Sequence, residues 1–236
     1  MREKPNLVST AYIGETAKDY DAKRFTTRRG LLFAEFEQEQ LDRAIARLPE
    51  GAHVLEVGCG TGRFSHYLAN RGYCVRAVDP SSDMVKIASE KCMDLDNVTF
   101  AQEEGASLSS ADSTYDLVFS IRVTNQTESE AYALRMIREM IRVTKPGGLV
   151  LVEFVNRQRP FRRKSKSVRL SFSQIAKVAR ADNCRVESRR GILVFSQTVL
   201  NKIPRILLPV WGTVERLAAR VFWRWASRGY VLLSKQ

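Results

Sequence analysis

Glycines and carboxylates near residue 60 have the types and spacing of a nucleotide-binding loop. Glu56-Val-Gly-Cys-Gly-Thr-Gly62 overlaps the short apolar run His53–Val57, which predicts a buried strand entering a tight turn. Glycines at alternate positions let the backbone turn sharply and let a ligand come close to it. The helix predicted after the turn would offer free N–H groups. This segment therefore predicts a ligand site at the end of the first strand.

A second carboxylate, Asp79, ends the next predicted strand, 23 positions after Glu56. At that place it can accept hydrogen bonds from both hydroxyls of a ribose. The dinucleotide fingerprint GxGxxG needs its third glycine where Arg63 stands, and Glu56 adds a carboxylate that does not suit a pyrophosphate. We therefore favour a nucleoside ligand that carries an ammonium or sulfonium over NAD, and over a purely structural glycine loop.

Four motifs in order resemble those of the class I S-adenosylmethionine (SAM)-dependent methyltransferases. The resemblance covers residues 12–156 well and is nearest to the ubiquinone-biosynthesis-like (methyltransferase type 11) branch, which methylates small molecules. It implies SAM as cofactor and methyl transfer to a small-molecule acceptor. A non-catalytic SAM- or nucleotide-binding module that docks on a membrane or partner is the alternative. The four motifs are Val54–Gly62, Ala77–Met84, Asn97–Leu108 and Tyr115–Ser120, and Lys145–Leu151 resembles the turn into the family's fifth strand.

The resemblance also implies roles for individual residues. Gly58, Cys59 and Gly60 would approach the methionine part of SAM, with Glu56 toward its ammonium, and Asp79 would take the ribose hydroxyls. The further implied contacts are Met84 against the adenine face, Glu104 (or Glu103) and the Gly105 N–H at the adenine edge, the Ser120 carbonyl at the methionine part, and Tyr20 and Arg24 in a segment that closes over the cofactor. For Tyr20 and Arg24, a solvated helix face is an equal alternative.

The sequence departs from this family at the place of its usual base. Many members carry a His just after the fourth strand, where this chain has Asn125 and Gln126. The only histidines, His53 and His66, are predicted to be structural. Because methyl transfer is an in-line displacement, a base is needed only when the nucleophile must lose a proton.

Three interpretations of the acceptor side remain. The nucleophile is already competent, a carboxylate such as Glu128 or Glu153 acts as base, or Asn125 and Arg122 suffice by holding the substrate. We favour the first and third together. No cluster of His, Cys and carboxylates indicates a metal site.

Strand and helix patterns alternate strictly through residue 155. The strands are apolar runs rather than alternating ones, which predicts a parallel sheet covered on both faces. We therefore predict an α/β fold with a doubly wound, mostly parallel seven-stranded, Rossmann-like sheet and a helical cover inserted before the last strand. Within a single domain 1–236, we assign N-terminal cap helices to 1–48, the SAM-binding core to 49–156 and a basic acceptor-side segment with an amphipathic cover helix to 157–236.

Charge divides the chain unevenly. Residues 1–156 carry 19 Lys and Arg against 23 Asp and Glu, whereas residues 157–236 carry 19 against 3, so the net charge of +12 comes from the last third. Such a segment is expected to lie near negative charge. The first residues contain no apolar signal region and the four cysteines have no CxxC spacing, so we expect a cytoplasmic protein.

The last third holds all three tryptophans. On a helical projection, Val210–Trp225 shows an apolar face opposite Arg216, Arg220 and Arg224. This face either packs on the domain as a cover or rests on an anionic membrane as an interfacial helix. Nucleic acid is disfavoured as a partner because no RNA-binding motif or aromatic array accompanies the charge. The apolar face consists of Val210, Trp211, Val214, Leu217, Ala218, Val221, Phe222 and Trp225.

Overall fold

A computed structural model describes residues 28–160, 167–195 and 203–236. Seven strands form one sheet in the order β3-β2-β1-β4-β5-β7-β6. Strand β7 is antiparallel to both of its neighbours, and the pairs among β1 to β5 are parallel. This confirms the predicted doubly wound, mostly parallel sheet. The strands are β1 His53–Val57, β2 Cys74–Asp79, β3 Val98–Gln102, β4 Tyr115–Ser120, β5 Thr144–Val155, β6 Cys184–Ile192 and β7 Arg228–Lys235.

Helices cover both faces of the sheet. One buried cluster packs α4 and α5 against it, and a second packs α1, α2 and the start of α6 against the other face. Local caps define the starts of α4 and α5: the Ser129 hydroxyl accepts the Tyr132 N–H at 3.1 Å, and Ser171 forms a capping box with Gln174. The helices are α1 Arg28–Ile45, α2 Arg63–Ala69, α3 Ser82–Lys91, α4 Glu130–Val143, α5 Phe172–Ala181 and α6 Leu208–Val221, with short 3₁₀ segments at Thr124–Gln126, Arg205–Leu207 and Trp223–Trp225.

Helix α6 lies between β6 and β7 in the chain, as predicted, but its orientation differs from the cover-helix interpretation. Leu208, Gly212 and Glu215 form its buried side. Gly212 allows the close approach, since a Cβ there would come within 3.2 Å of Leu32 Cδ1. The apolar face therefore points outward, and the interpretation in which it packs on the domain is wrong for the residues exposed to solvent. These are Val210 (63% exposed), Val214 (40%), Leu217 (56%) and Val221 (71%) of the helix, and Phe222 (43%) and Trp225 (53%) directly after it.

One residue of the predicted apolar face, Trp211, is partly covered. It is half-buried and packs on Phe195, with ring centroids 4.9 Å apart. In the parts of the chain that the structure describes, no helix has the length and apolar character needed to cross a bilayer.

Candidate active site

The glycine loop lies at the carboxyl edge of the sheet and is fastened to β2. The N–H groups of Gly58 and Cys59 both donate to the Val78 carbonyl, at 2.8 and 3.0 Å. Gly58 has a φ of +81°, and a Cβ there would come within 2.2 Å of Val123 Cγ2. At Gly60, with a φ of +53°, a Cβ would meet nothing within 4 Å. The loop is thus closely packed beneath Gly58 and open at Gly60, where a ligand can approach the backbone.

Asp79 is placed by this loop rather than by a salt bridge. It is 7% exposed, its Oδ2 accepts the Gly60 N–H at 2.9 Å and its Oδ1 accepts the Ser81 N–H at 2.9 Å. Burial raises the pKa of this carboxyl, and the two backbone hydrogen bonds oppose that rise. The result is a buried, oriented acceptor beside the loop, which suits the hydroxyls of a ribose.

Glu56 is buried in the same cleft. Its Oε2 accepts the Ser65 hydroxyl at 2.5 Å. Burial raises its pKa to about 8, against the lowering by the Ser65 hydrogen bond and by the positive charge of Arg63. A buried carboxyl in this state gains most from a cationic ligand group, which would stabilise its charged form. Glu56 therefore fits the ammonium of SAM better than a phosphate.

The same cleft brings together most of the cofactor residues named from the sequence. The predicted residues that line it are Glu56, Gly58, Cys59, Gly60, Asp79 and Met84, and the lining also includes Arg122 from the acceptor side. Sequence reasoning gave no role to Thr61, although it lies within the glycine motif, and passed over Phe64, Ile121 and Val123, which lie outside the quoted motifs.

The residues named for the adenine edge lie beside this cleft. Gly105 lines a small neighbouring cavity that shares Gly58, Pro80 and Val123 with it. A Cβ at Gly105 would come within 2.9 Å of Met136 Cγ, so the absence of a side chain also serves packing.

Glu103 and Glu104, the two acidic residues just before Gly105, have different hydrogen-bond partners. Glu104 accepts the Tyr132 hydroxyl at 2.5 Å. Glu103 is engaged elsewhere, by Arg76 at 2.6 Å and by the Ser109 N–H at 2.9 Å. Of the two, Glu103 lines the small cavity together with Gly105, so the choice between Glu104 and Glu103 at the adenine edge stays a prediction.

Ser120 ends β4 within the core. Its hydroxyl donates to the Val57 carbonyl at 2.9 Å and it is fully buried, so the side chain ties β4 to β1. Its proposed contact with the methionine part, through the carbonyl, stays a prediction. Tyr20 and Arg24 lie outside the described residues.

Arg122, two residues after the end of β4, lines the cleft. It has a φ of +70°, which is rare for a residue with a side chain and is held by its N–H, which donates to Glu153 Oε2 at 2.7 Å. Its guanidinium lies 3.2 Å from Glu37 and 4.7 Å from the ring centroid of Phe33. Its Nε is buried and has no hydrogen-bond partner among the described residues.

A buried charge network surrounds Arg122. Glu37 of α1, which is fully buried, also binds Arg63 at 2.6 Å, and Glu153 of β5 binds Arg228 at 2.7 Å. Three arginines thus meet two carboxylates in this network, and two of the arginines, Arg63 and Arg122, line the cleft together with Glu56 and Asp79. Glu37 and Arg228 were missed from the sequence because they lie far from the motifs along the chain.

The other acceptor-side candidates are less exposed to the cleft. Asn125 Oδ1 accepts from Arg228 at 3.2 Å, and Asn125 is not among the residues that line the cleft. Glu128 lies 3.9 Å from Arg135 and is half-exposed. Both carboxylate oxygens of Glu153 accept hydrogen bonds, Oε2 from the Arg122 N–H and Oε1 from the Arg228 guanidinium. These contacts argue against Glu153 as a base. His53 and His66 are exposed and do not line the cleft. Within the described ranges, no three His, Cys, Asp or Glu side chains are grouped as a metal would require.

Comparison with known proteins agrees with this geometry. Residues 54–148 match a family described as methyltransferase domain. The chain is 31% identical over 151 residues to a malonyl-[acyl-carrier protein] O-methyltransferase of Marinomonas sp., which covers 62% of this chain and 54% of that protein. It is 32% identical over 120 residues to a ubiquinone biosynthesis O-methyltransferase of Rhizobium leguminosarum, covering 49% and 45%. The chain thus spans about half the length of these curated relatives.

A solved structure extends the likeness in fold to nearly the whole chain. Magnesium protoporphyrin IX methyltransferase from Synechocystis, solved with bound SAH, superposes with a TM-score of 0.66 at 17% identity and covers 95% of this chain and 97% of that one. At this identity the likeness concerns the fold alone. It confirms the fold predicted from the motifs, and the matched family agrees with the resemblance that the motifs carry.

Proposed function

We propose that this chain, a member of the class I SAM-dependent methyltransferase superfamily, transfers the methyl group of SAM to a small-molecule acceptor. The observation that carries the proposal is the cleft at the carboxyl edge of the sheet. There the buried carboxyls of Asp79 and Glu56 flank an open glycine loop, and Arg122 closes the far end. A ubiquinone biosynthesis O-methyltransferase among the relatives supports a small-molecule acceptor.

Each of these residues has a defined task in binding. Asp79 would accept the ribose hydroxyls, Glu56 would hold the ammonium, and Met84, which is buried in the cleft wall, would lie against the adenine. The N–H of Gly105 and the carboxylate of Glu104 would contact the adenine edge. Binding through so many fixed groups orients the cofactor before the acceptor arrives, which is the larger part of catalysis for a displacement reaction.

When bound, SAM supplies an electrophilic methyl group on a sulfonium, and the acceptor displaces it in line. The protein's part is to align the acceptor and exclude water. Neither histidine lines the cleft, and both carboxylate oxygens of Glu153 already accept hydrogen bonds from Arg122 and Arg228. We therefore infer that the nucleophile needs no base to remove a proton, as is true of a carboxylate, a neutral amine or an activated carbon. Arg122 would position this nucleophile directly, and Asn125 would help through its hydrogen bond with Arg228.

The charge at the acceptor end indicates an anionic acceptor. Arg122 retains a buried Nε with no partner among the described residues, and the network around it carries more arginines than carboxylates. A buried donor without a hydrogen-bond partner is costly, so an acceptor whose carboxylate would accept from this Nε–H is favoured there. The Phe33 ring beneath Arg122 adds an apolar wall for a lipophilic part.

A second proposal concerns where the protein meets that acceptor. Val210, Val214, Leu217 and Val221 form an outward apolar stripe on α6, and Arg220 and Arg224 flank it. A helix with an exposed apolar face beside arginines is typical of one that lies in the interface of an anionic membrane. We infer peripheral contact with such a membrane, from which a lipophilic acceptor would be drawn.

Calorimetry separates these ideas from a dehydrogenase or a structural loop. We expect SAM and its demethylated product to bind and NAD not to bind. Binding of NAD without SAM would overturn the proposal. The non-catalytic alternative is not favoured by the comparisons, and transfer of a labelled methyl group from SAM to an acceptor would rule it out.

A further inference from the structure

A second cavity, of about 160 Å³, lies apart from the cofactor cleft and shares no lining residue with it. It is formed by α1, the end of edge strand β6 and α6. Phe36, Ile192 and Trp223 supply apolar walls, whereas Arg43, Arg189, Arg190 and Arg220 stand around it. The task proposed above for the cofactor cleft uses none of these arginines.

The acidic residues of this cavity are already engaged. Glu39 binds Arg216 at 2.7 Å. Glu215, which is buried, accepts the Val194 N–H at 2.5 Å and the Phe195 N–H at 3.4 Å. The four other arginines therefore have no carboxylate within ion-pair distance in the parts of the chain that are described.

These arginines also act on one another. The pKa of Arg190 is lowered, first by partial burial and then by the positive charges of Arg43 and Arg220. Like charges gathered around an apolar cavity repel, and an anion placed among them would relieve that repulsion. Guanidinium groups match the oxygens of a phosphate in geometry as well as in charge.

The cavity also lies beside the outward apolar stripe of α6. Arg220 lines the cavity and lies one helical turn after Leu217 of the stripe, so their side chains are neighbours on the helix surface. A ligand with a phosphate in the cavity would therefore bring any attached apolar chain to the stripe.

We infer that this cavity binds a phosphate monoester, either on the headgroup of an anionic lipid or on a soluble ester. The inference deepens the membrane contact proposed for α6, and it does not depend on methyl transfer. Arg43, Arg190 and Arg220 would contact the phosphate, with Trp223 and Phe36 against the group that bears it.

The test uses the full chain and two probes that share one chemistry. Glycerol 3-phosphate, titrated by calorimetry, presents the soluble ester, and phosphatidylcholine vesicles containing phosphatidic acid present the same group on a lipid. The double variant Arg43→Gln with Arg190→Gln should weaken binding of the responding probe about tenfold or more, as expected for lost charge-assisted hydrogen bonds. Arg180→Gln, which removes an exposed arginine from α5 on the other face of the sheet, is the control and should bind like the wild type.

Each outcome of this experiment either identifies the source of the phosphate or overturns the inference. Loss of glycerol 3-phosphate binding in the double variant assigns the site to a soluble ester as well, whereas a loss seen only with vesicles assigns it to a lipid headgroup. Wild-type binding of both probes by the double variant, or binding of neither probe by the wild type, overturns the inference. SAM affinity, measured on the same samples, separates a failed site from a misfolded protein. A Leu217→Gln variant that binds glycerol 3-phosphate but not vesicles separates the cavity from the apolar stripe.

Discussion

Oδ2 of Asp79 accepts the backbone N–H of Gly60 at 2.9 Å. This bond joins the end of β2 to the loop after β1, so the ribose acceptor and the open part of the glycine loop are set by one contact. A nucleoside held by Asp79 is thereby placed against the backbone of the loop. The first prediction follows from this pair.

Asp79→Asn should weaken SAM binding by about tenfold to a hundredfold, because charged hydrogen bonds contribute roughly 1.5–3 kcal/mol and the amide can no longer accept both hydroxyls. Calorimetry measures the change, and circular dichroism checks the fold. Asp94→Asn, on an exposed turn after α3, removes the same charge and should leave the affinity unchanged. Equal losses in both variants would mean that Asp79 acts only through net charge.

Glu56 predicts a pH dependence of stability. Its pKa is about 8 in the folded chain and 4.5 without burial, so between these values the folded state holds a proton that the unfolded state has lost. This group's contribution to stability therefore falls as pH rises from about 4.5 to 8, with a limiting slope of about 1.4 kcal/mol per pH unit. Glu56→Gln removes the titration, so its stability relative to wild type should rise over the same range. Urea unfolding at several pH values measures the difference, and parallel curves would contradict this assignment.

Replacing Arg122 should weaken binding of the acceptor and leave binding of SAM nearly unchanged. Arg122→Gln should raise the KM for the acceptor about tenfold, the loss of one charge-assisted hydrogen bond, while SAM affinity stays within about twofold. Arg122→Lys keeps the charge and the same backbone conformation, so it should recover part of the loss. The methyl-accepting fraction of an extract should bind to an anion exchanger. An acceptor that passes through, together with unchanged KM in both variants, would refute an anionic acceptor.

The outward stripe of α6 predicts membrane binding that depends on its apolar side chains. Leu217→Gln should weaken partition to anionic vesicles about tenfold, because burying one leucine contributes roughly 1.5 kcal/mol or more. Met93→Gln, a comparably exposed apolar residue after α3, serves as the control and should bind as the wild type does. Co-sedimentation at low and high salt measures both, and equal binding to neutral and anionic vesicles would end the proposal.

The fold and the cofactor half of the site could be predicted because their signals are local. Glycines that turn a chain, an acid at a strand end and apolar strands in alternation with helices are all visible within a few residues, as at Gly58 and Asp79. The network of Glu37, Arg122 and Arg228 was not visible, because its members meet only when α1, β4 and β7 converge on one sheet edge.

The orientation of helix α6 could not be predicted from the sequence, for a different reason. Periodicity identified its apolar stripe correctly but could not say which side meets the domain. Gly212 and the buried Glu215 decide that, through a close contact with α1 and hydrogen bonds to the chain after β6. The inner side of this helix thus combines the apolar Leu208 with a small residue and a charged one, whereas an inner side is usually formed by apolar residues alone.

The most direct test of the account is transfer of a labelled methyl group from SAM to the small-molecule fraction of a cell extract. We predict that the wild-type chain labels an anionic compound and that Asp79→Asn does so at a level reduced in step with its SAM affinity. The account would be contradicted if the wild-type chain bound SAM and labelled nothing, or if labelling were the same in the Asp79→Asn variant.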